Sequence, residues 1–239
     1  EPIYLYTLGF SLSTIFLFFG AVYVGYTVLL PWGGKLALRI GCDRAMLLST
    51  PFLILYFSVL SVLSSYPRLI VVLGVLQVLE KVFYWPAFHI AFAMTGTRGE
   101  RGREMSAFTV IQRLVSIVGP ALGGILLVRL GPPLTFLIVS ILILISHVPL
   151  LASREVRPSE SLSFRDPWRV LVCKKLRRSS IAFAGFGSEL IWYVGWFIFV
   201  FIAVGDFESV GFLVSGSLLL GTASTLTIGR LIDLRMKQQ

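Results

Sequence analysis

Residues 132–152 read PPLTFLIVSILILISHVPLLA, a stretch without a single Asp, Glu, Lys or Arg. A helix needs about 20 apolar residues to cross the roughly 30 Å hydrocarbon core of a bilayer, and this stretch is long enough. Its apolar residues run continuously instead of alternating with a period of two, which argues against a strand of a transmembrane barrel. The stretch therefore predicts one membrane-spanning α-helix.

Six other stretches have the same character, and they predict six more spans: 11–32, 45–65, 69–94, 105–128, 180–204 and 208–230. Residues 1–8 are expected to be the outer end of an earlier span. In lipid every backbone N–H and C=O must find its partner within the protein, and a helix achieves this within one segment. The predicted fold class is all-α, an incomplete polytopic integral membrane helical bundle of about seven transmembrane helices plus the end of an earlier one.

The composition supports a membrane protein and argues against several partners. Hydrophobic residues make up 56% of the 239 residues, charged residues 14%, and the mean hydropathy is +0.87. Soluble domains carry about 25% charged residues, so too little polar surface is available here. The net charge of +9 does not indicate nucleic acid, because the basic residues lie in gaps between apolar runs. Cys42 and Cys173 lack metal-ligand spacing and are predicted to be reduced thiols, so neither a metal site nor a cofactor is expected.

The distribution of Lys and Arg predicts the orientation in the membrane. Of 21 such residues, 17 fall in four alternating gaps, 33–44, 95–104, 153–179 and 230–239, whereas the opposite gaps hold only Arg68 and Arg129. Cytoplasmic loops are enriched in Lys and Arg, so the four gaps are predicted to be cytoplasmic loops of a multi-pass plasma (inner) membrane protein. The longest gap, 153–179, contains either a short amphipathic segment or a solvated linker.

Two signatures resemble those of the major facilitator superfamily (MFS). Gly34-Lys-Leu-Ala-Leu-Arg39-Ile-Gly41 resembles the cytoplasmic loop between the second and third spans of that family, with Leu38 where the family has an acid. Gly119-Pro120-Ala-Leu-Gly123-Gly124 resembles the fifth span of many exporters in the same family. Physically, Pro120 is expected to bend the helix, while Gly123 and Gly124 allow another helix to approach closely.

An internal repeat adds to the resemblance. Gly229-Arg230-Leu-Ile-Asp233-Leu-Arg235 repeats the first signature 195 residues later and keeps the acid, a spacing that suits six-span halves. A glycine precedes each copy at a similar distance, Gly9 before Gly34 and Gly205 before Gly229. The segment from Tyr84 to His89 and the basic loop after it also look like the fourth span and following loop of many bacterial members.

The resemblance implies a position within a twelve-span transporter. Residues 1–152 would form most of the N-terminal half-bundle, from the end of span one to span six. Residues 153–179 would be the central cytoplasmic loop, and residues 180–239 would begin the C-terminal half-bundle with spans seven and eight. The chain would then be a fragment with both ends cut. Its partners would be a small-molecule substrate, protons, the lipid bilayer and the missing remainder of its own chain.

The implied function is secondary active transport of a small solute by alternating access, with proton-coupled efflux as a further hypothesis. The loops Gly34–Gly41 and Gly229–Arg235 would help to close the cytoplasmic gate. A seven-span receptor or sensor without transport activity is the alternative of a different class. An enzyme is not predicted, because no cluster of His, Asp or Ser lies at a predicted membrane face.

Charged residues inside the predicted spans are the candidate functional residues. Each costs at least ~2.5 kcal/mol near the bilayer centre on insertion scales, so such residues face the bundle interior. The candidates for binding and coupling are Glu80, Lys81, Arg113 and Glu189, with Tyr84, Trp85, Trp192 and Trp196 as aromatic walls. On α-helical spacing, Gln77 and Phe88 share a face with the residues at 80, 81 and 84.

Two interpretations of these residues remain open. In the functional one, Glu80 or Glu189 takes up a proton, and Arg113 or Lys81 adjusts the proton affinity of that carboxylate. In the structural one, Glu80 and Arg113 form an ion pair between helices, and the aromatic side chains contribute to packing.

Overall fold

The computed structural model describes residues 1–95, 101–153, 173, 181 and 191–236, with the backbone alone at 95, 101–105, 226 and 228–236. The α-helices are α1 (Pro2–Thr7), α2 (Leu12–Ile40), α3 (Cys42–Val62), α4 (Ile70–Thr95), α5 (Arg101–Leu151), α6 (Phe197–Val204) and α7 (Phe207–Met236). A 3-10 turn at Pro67–Leu69 precedes α4, and a π-helix at Trp192–Trp196 precedes α6. No strand occurs among these described residues. The predicted all-α class is confirmed.

Five helices in the described part of the chain are long and apolar enough to cross a membrane: Leu12–Ile40, Cys42–Val62, Pro67–Met94, Ser106–Leu151 and Phe207–Thr225. A shorter apolar helical segment, Trp192–Val204, covers the end of the predicted span 180–204. The first part of that span lies largely outside the described residues.

The longest candidate, Ser106–Leu151, contains two spans. Its 46 residues would reach about 70 Å at 1.5 Å per residue, more than twice the thickness of the hydrocarbon core. Gly131 interrupts it with φ 74° and ψ 169°, a conformation that glycine adopts without steric cost, and Pro132 and Pro133 follow. The bend predicted at Pro120 stays a prediction, whereas the break in α5 lies at Gly131. It falls between the predicted spans 105–128 and 132–152.

The outer surfaces of these helices are apolar. Leu17 is 73% exposed, Val71 71% and Leu220 70%. Continuous apolar surface of this kind is a liability in water but matches the hydrocarbon of a bilayer. Together with the long apolar helices, it makes the chain a multi-pass integral membrane protein.

The described chain divides into two compact units, one of residues 1–96 and 136–199, the other of residues 97–135 and 200–239. In the first unit α4 packs against both α2 and α3. Gly33 lies directly against the backbone carbonyl of Val82, where a larger side chain would collide. A small-residue core of Ala37, Cys42, Ala45, Met46 and Ala87 joins the three helices.

One polar contact ties the end of α5 to the start of α3 within the first unit. Ser153 Oγ donates a hydrogen bond to Asp43 Oδ2 at 2.6 Å, and Asp43 is buried. Leu150 packs beside this contact against the small-residue core. The last turn of α5 is therefore held by both packing and a hydrogen bond.

In the second unit α5 and α7 approach through small residues. A methyl group on Gly124 would collide with the backbone at Phe207, and one on Gly211 would collide with the carbonyl of Pro120. The backbone N–H of Ala121 donates to Ser215 Oγ at 3.1 Å. Close backbone approach and a hydroxyl partner are typical of helix packing in membranes. Of the predicted packing residues, Gly124 and Pro120 lie in this contact, whereas Gly119 and Gly123 face open space.

The two predicted gating loops are the ends of long helices, which corrects their sequence-based assignment. Helix α2 continues through Gly34 and Arg39 to Ile40, and Gly41, with φ 103°, separates it from α3. The residues from Lys35 to Ile40 include Lys, Leu, Ala and Arg, which favour helix, and this is consistent with a helix that continues past residue 33. At about 43 Å this 29-residue helix is longer than the bilayer core.

Helix α7 repeats this arrangement at the second signature. Its backbone stays helical through Gly229, Arg230, Asp233 and Arg235, up to Met236. The predicted loop 230–239 is therefore helical at least to residue 236. Both signatures lie where a long helix extends past the expected membrane thickness.

The two helices of the internal repeat also begin alike. Gly9 (φ 89°) precedes α2 and Gly205 (φ 92°) precedes α7. Ser11 Oγ accepts a hydrogen bond from the Thr14 N–H at 3.2 Å, and Asp206 Oδ1 accepts one from the Ser209 N–H at 2.8 Å. Such caps satisfy a backbone donor in the first turn of a helix.

Asp206 lies outside the membrane-spanning segments, and its cap has an electrostatic component. The hydrogen bond from the Ser209 backbone lowers the pKa of the Asp206 carboxyl below its ordinary value of 3.8. The side chain is therefore charged at neutral pH, as the positive N-terminal end of α7 favours.

Candidate functional site

Three side chains of the first unit form what we call the polar cluster: Glu1 before α1, Tyr56 on α3 and Gln77 on α4. Gln77 Nε2 donates to Glu1 Oε2 at 3.4 Å. Glu1 Oε1, the Tyr56 hydroxyl and Gln77 Oε1 are buried without a hydrogen-bond partner among the described residues. Tyr56 is only 3% exposed. The Tyr56 hydroxyl lies beside the Glu1 carboxylate, and the N-terminal ammonium of Glu1 is buried with them.

The cluster lies within the membrane-spanning part of the bundle. Gln77 is seven residues from the start of α4 at Ile70, which places it about 10 Å from that end of the helix. Glu80 is about 5 Å deeper. A buried polar atom without a partner costs free energy anywhere, and it costs most where no bulk water is available. In native proteins such atoms are usually satisfied by water, an ion or a ligand.

Three of the predicted residues adjoin the polar cluster. Lys81 Nζ lies 5.6 Å from the centroid of the Tyr23 ring, a cation–π distance. Its charge is close enough to interact with the carboxylates of Glu1 and Glu80. Tyr84 lies near Glu80, one helical turn further along α4. The structure thus brings Glu80, Lys81 and Tyr84 into one region of the first unit.

The aromatic residues of α4 serve packing as well. Tyr84 stacks on Phe88, with ring centroids 5.9 Å apart and planes 8° apart, and both pack against the small-residue core. Trp85 is 37% exposed and stacks on His89 at 5.8 Å. Tyr84 therefore contacts both the core and the charged region, whereas Trp85 lies on the exposed side of α4.

Trp192 and Trp196 are placed differently from the prediction. Their ring centroids are 5.4 Å apart, and the side chains are 62% and 48% exposed. They line an open cavity of about 320 Å³ with Phe199. Tyr193, between them in sequence, is the residue that lies near Glu1. The π-helix carries all three residues, and π-turns are frequent at functional sites.

Several of the predicted site residues are not shown beside the polar cluster. Glu189 lies outside the described residues. Arg113 is exposed on α5 in the second unit, so its predicted pair with Glu80 would join the two units and stays a prediction. The side chains of the second signature are likewise outside the description, and the gating roles of both signatures stay predictions.

Glu1, Tyr56 and Tyr193 are not among the residues predicted from the sequence. Glu1 falls in the segment expected to end an earlier span, and Tyr56 follows an apolar run that gives no sign of a polar neighbour. Gln77 lies on the predicted polar face of α4, together with Glu80 and Lys81. A Gln inside a membrane span is the sequence signal from which a buried polar partner could have been predicted.

Two other possible sites, an apolar groove and a metal site, are less well supported than the polar cluster. An apolar groove of about 410 Å³ between α2 and α4 is lined by residues such as Leu17, Phe18, Val71 and Val75, without a charged side chain. Within the described ranges no three His, Cys, Asp or Glu side chains lie close enough to share a metal ion. The polar cluster and its charged neighbours remain the best candidate site.

These features define a multi-pass helical membrane protein with charged and polar side chains inside the bundle. The family model of the Major Facilitator Superfamily matches residues 1–238, and the chain belongs to that superfamily. Its members carry small-molecule substrates across membranes, so this chain is a membrane transporter of the major facilitator type. Neither a curated protein nor a solved structure matches the chain. The resemblance stated from the sequence signatures is confirmed.

Proposed function

We propose that the protein carries out secondary active transport of a small solute by alternating access, with the polar cluster as part of the solute site. The observation that supports this most strongly is the buried polar cluster itself, in which oxygen atoms of Glu1, Tyr56 and Gln77 have no partner with full hydrogen-bond geometry among the described residues. A solute with hydrogen-bond donors would satisfy them. Lys81 and Glu80 next to the cluster would add charge recognition.

The packing of the helices around the polar cluster is consistent with rigid-body movement of these helices. Helices α2, α3 and α4 pack through small residues, and Gly33 against Val82 leaves little room for sliding between α2 and α4. Alternating access then requires movement between half-bundles around a site that itself stays assembled. In this proposal the extended ends of α2 and α7 help to close the cytoplasmic side.

Proton coupling is part of the proposal. Glu80 is half-buried in the middle of α4 beside Lys81, so protonating it would change the charge of the site. Glu189 is the second candidate on sequence grounds. Efflux is the favoured direction, because the segment from Gly119 to Gly124 resembles that of exporters.

Solute counterflow in proteoliposomes distinguishes a carrier from the rival receptor. Vesicles are loaded with one unlabelled solute at a time, drawn from sugars, amino acids, organic acids, amines and drugs, and uptake of the same labelled solute is followed. A carrier with alternating access exchanges solute, so we expect transient accumulation for at least one class. Empty liposomes give the background.

The receptor alternative makes the opposite prediction. A solute that binds the purified protein, measured by a rise in its melting temperature, but gives no counterflow would favour a seven-span receptor or sensor. The binding measurement therefore accompanies each counterflow measurement.

A further inference from the structure

We propose that Tyr23 is a positioning residue for proton coupling: its ring holds the ammonium group of Lys81 and keeps it from pairing directly with Glu80. This inference rests on the proposed function, because it concerns proton uptake by Glu80. Tyr23 is not among the residues predicted from the sequence. It lies on α2, whereas Glu80 and Lys81 lie on α4.

The ammonium group of Lys81 lies over an aromatic ring. Lys81 Nζ is 5.6 Å from the centroid of the Tyr23 ring, within the roughly 6 Å at which a ring attracts a cation. This attraction is stronger where water is scarce, as it is inside a membrane span. The effect of Lys81 on Glu80 is that of a nearby positive charge. The ring therefore provides the direct contact for the ammonium, while Glu80 remains within reach of its charge.

Close packing between α2 and α4 fixes the position of the ring. A methyl group on Gly25 would lie 3.1 Å from Val78 Cγ2, and one on Gly33 would collide with the backbone carbonyl of Val82. The two contacts follow in the same order along both helices. The tyrosine lies two residues before Gly25, and Lys81 directly precedes Val82. Sliding of one helix along the other would therefore separate the ring from the ammonium.

A direct ion pair between Lys81 and Glu80 would work against proton uptake. A carboxylate in contact with an ammonium is stabilised in its charged form, and most strongly where the dielectric constant is low. An ammonium that stays on a ring further away stabilises the charged form less, so Glu80 can both take up and release a proton. A tyrosine ring is uncharged at neutral pH, so it holds Lys81 without adding a charge.

The surrounding titratable groups come from each element packed near the pair. They are Tyr26 on α2, Tyr56 on α3, Tyr84 on α4, Tyr193 on the π-helix and Glu1, whose carboxylate and N-terminal ammonium lie together. The tyrosines are uncharged at neutral pH. Among these described groups, Lys81 is the cation whose charge acts on Glu80. The position of its ammonium therefore controls the charge that Glu80 experiences.

The contact is tested by NMR of the purified protein with labelled lysine, in which Lys81→Arg identifies the Lys81 resonance. The ring current of an aromatic side chain shifts the resonance of a methylene group that lies over its face. We expect an upfield-shifted Cε resonance for Lys81, which Tyr23→Phe keeps and Tyr23→Leu removes. A Lys81 resonance that Tyr23→Leu leaves unchanged would overturn the contact.

The role in coupling is tested by comparing accumulation driven by a pH gradient with counterflow, for the panel solute that gives the strongest counterflow. Tyr23→Leu frees the ammonium to pair with Glu80, so we expect the ratio of the two to fall about threefold or more. Tyr23→Phe should retain the ratio of the wild type. Tyr66→Leu, the same substitution at an exposed position before α4, is the control and should also retain it. Melting temperatures report the folding of each variant.

The outcomes separate this inference from the proposed function. A ratio that Tyr23→Leu leaves unchanged, or one that Tyr23→Phe lowers as much as Tyr23→Leu does, would overturn the positioning role of the ring. Wild-type protein that gives no counterflow with any solute of the panel would instead overturn the proposed function. The lysine resonance would in that case still decide whether the Tyr23 ring holds Lys81.

Discussion

Glu80 and Lys81 are adjacent in α4, but their side chains have different neighbours. Lys81 reaches the ring of Tyr23 on α2, whereas Glu80 interacts with the positive charge of Lys81 itself. Each is half-buried, and each has a charged or aromatic neighbour that lowers the cost of placing it in a membrane span. Both residues could be identified from the sequence, because charge in the middle of an apolar run is rare.

Proton coupling through Glu80 is tested with Glu80→Gln, which keeps the shape and removes the titratable group. We expect accumulation driven by a pH gradient to fall to the level seen without a gradient, while counterflow persists within about threefold of the wild type, since counterflow needs no net proton movement. Uptake into proteoliposomes measures both.

The control for this prediction is Glu208→Gln, in the first turn of α7. It should behave as the wild type. Gradient-driven accumulation that survives in Glu80→Gln and in the double variant with Glu189→Gln would contradict coupling through these carboxylates.

Other residues of the candidate site could not be predicted, for physical reasons. The partners of Gln77 come from elements far away in sequence, and the pattern of a single helix cannot specify them. Trp192 and Trp196 have the spacing of a helix face, but a π-helix changes which side chains share a face, and Tyr193 lies near Glu1 instead. Residue types identified candidates, whereas tertiary packing decided which of them meet.

At the scale of elements, the contact between α5 and α7 shows what the small residues do. Gly124 and Gly211 each lie against the backbone of the other helix, while Gly123, the next residue to Gly124, has open space. Two adjacent glycines of one signature therefore have different roles.

Alanine substitutions separate these roles. Gly124→Ala should destabilise the protein by about 1–3 kcal/mol, because the new methyl group meets backbone atoms that cannot move aside. Gly123→Ala should be neutral or stabilising by up to about 1 kcal/mol, because alanine favours helix and nothing obstructs it. Reversible unfolding in mixed micelles measures both, and equal destabilisation by the two variants would contradict the contact.

Hydropathy predicted the spans well and their ends poorly. The break at Gly131 could be anticipated, because a glycine followed by two prolines ends a helix. The continuation of α2 past Gly34 could not, because basic residues mark the edge of the membrane without ending a helix. Orientation and helix boundaries are thus set by different physical effects.

For the whole molecule, alternating access requires that the polar cluster lies on a pathway open to each side of the membrane in turn. The superfamily assignment makes the chain a membrane transporter, and the cluster is our candidate for its solute site. A one-sided pocket would serve a receptor equally well. Access from both sides is what distinguishes transport.

Sided thiol labelling measures this access. In a background with Cys42→Ala and Cys173→Ala, the variants Tyr56→Cys and Gln77→Cys are reconstituted in oriented proteoliposomes, and a charged, impermeant thiol reagent is added to one side at a time. Leu17→Cys, at a 73% exposed apolar position, is the control and should not react with a charged reagent. We predict that Tyr56→Cys and Gln77→Cys react from either side; reaction from one side only, or from neither, would contradict alternating access to this cluster.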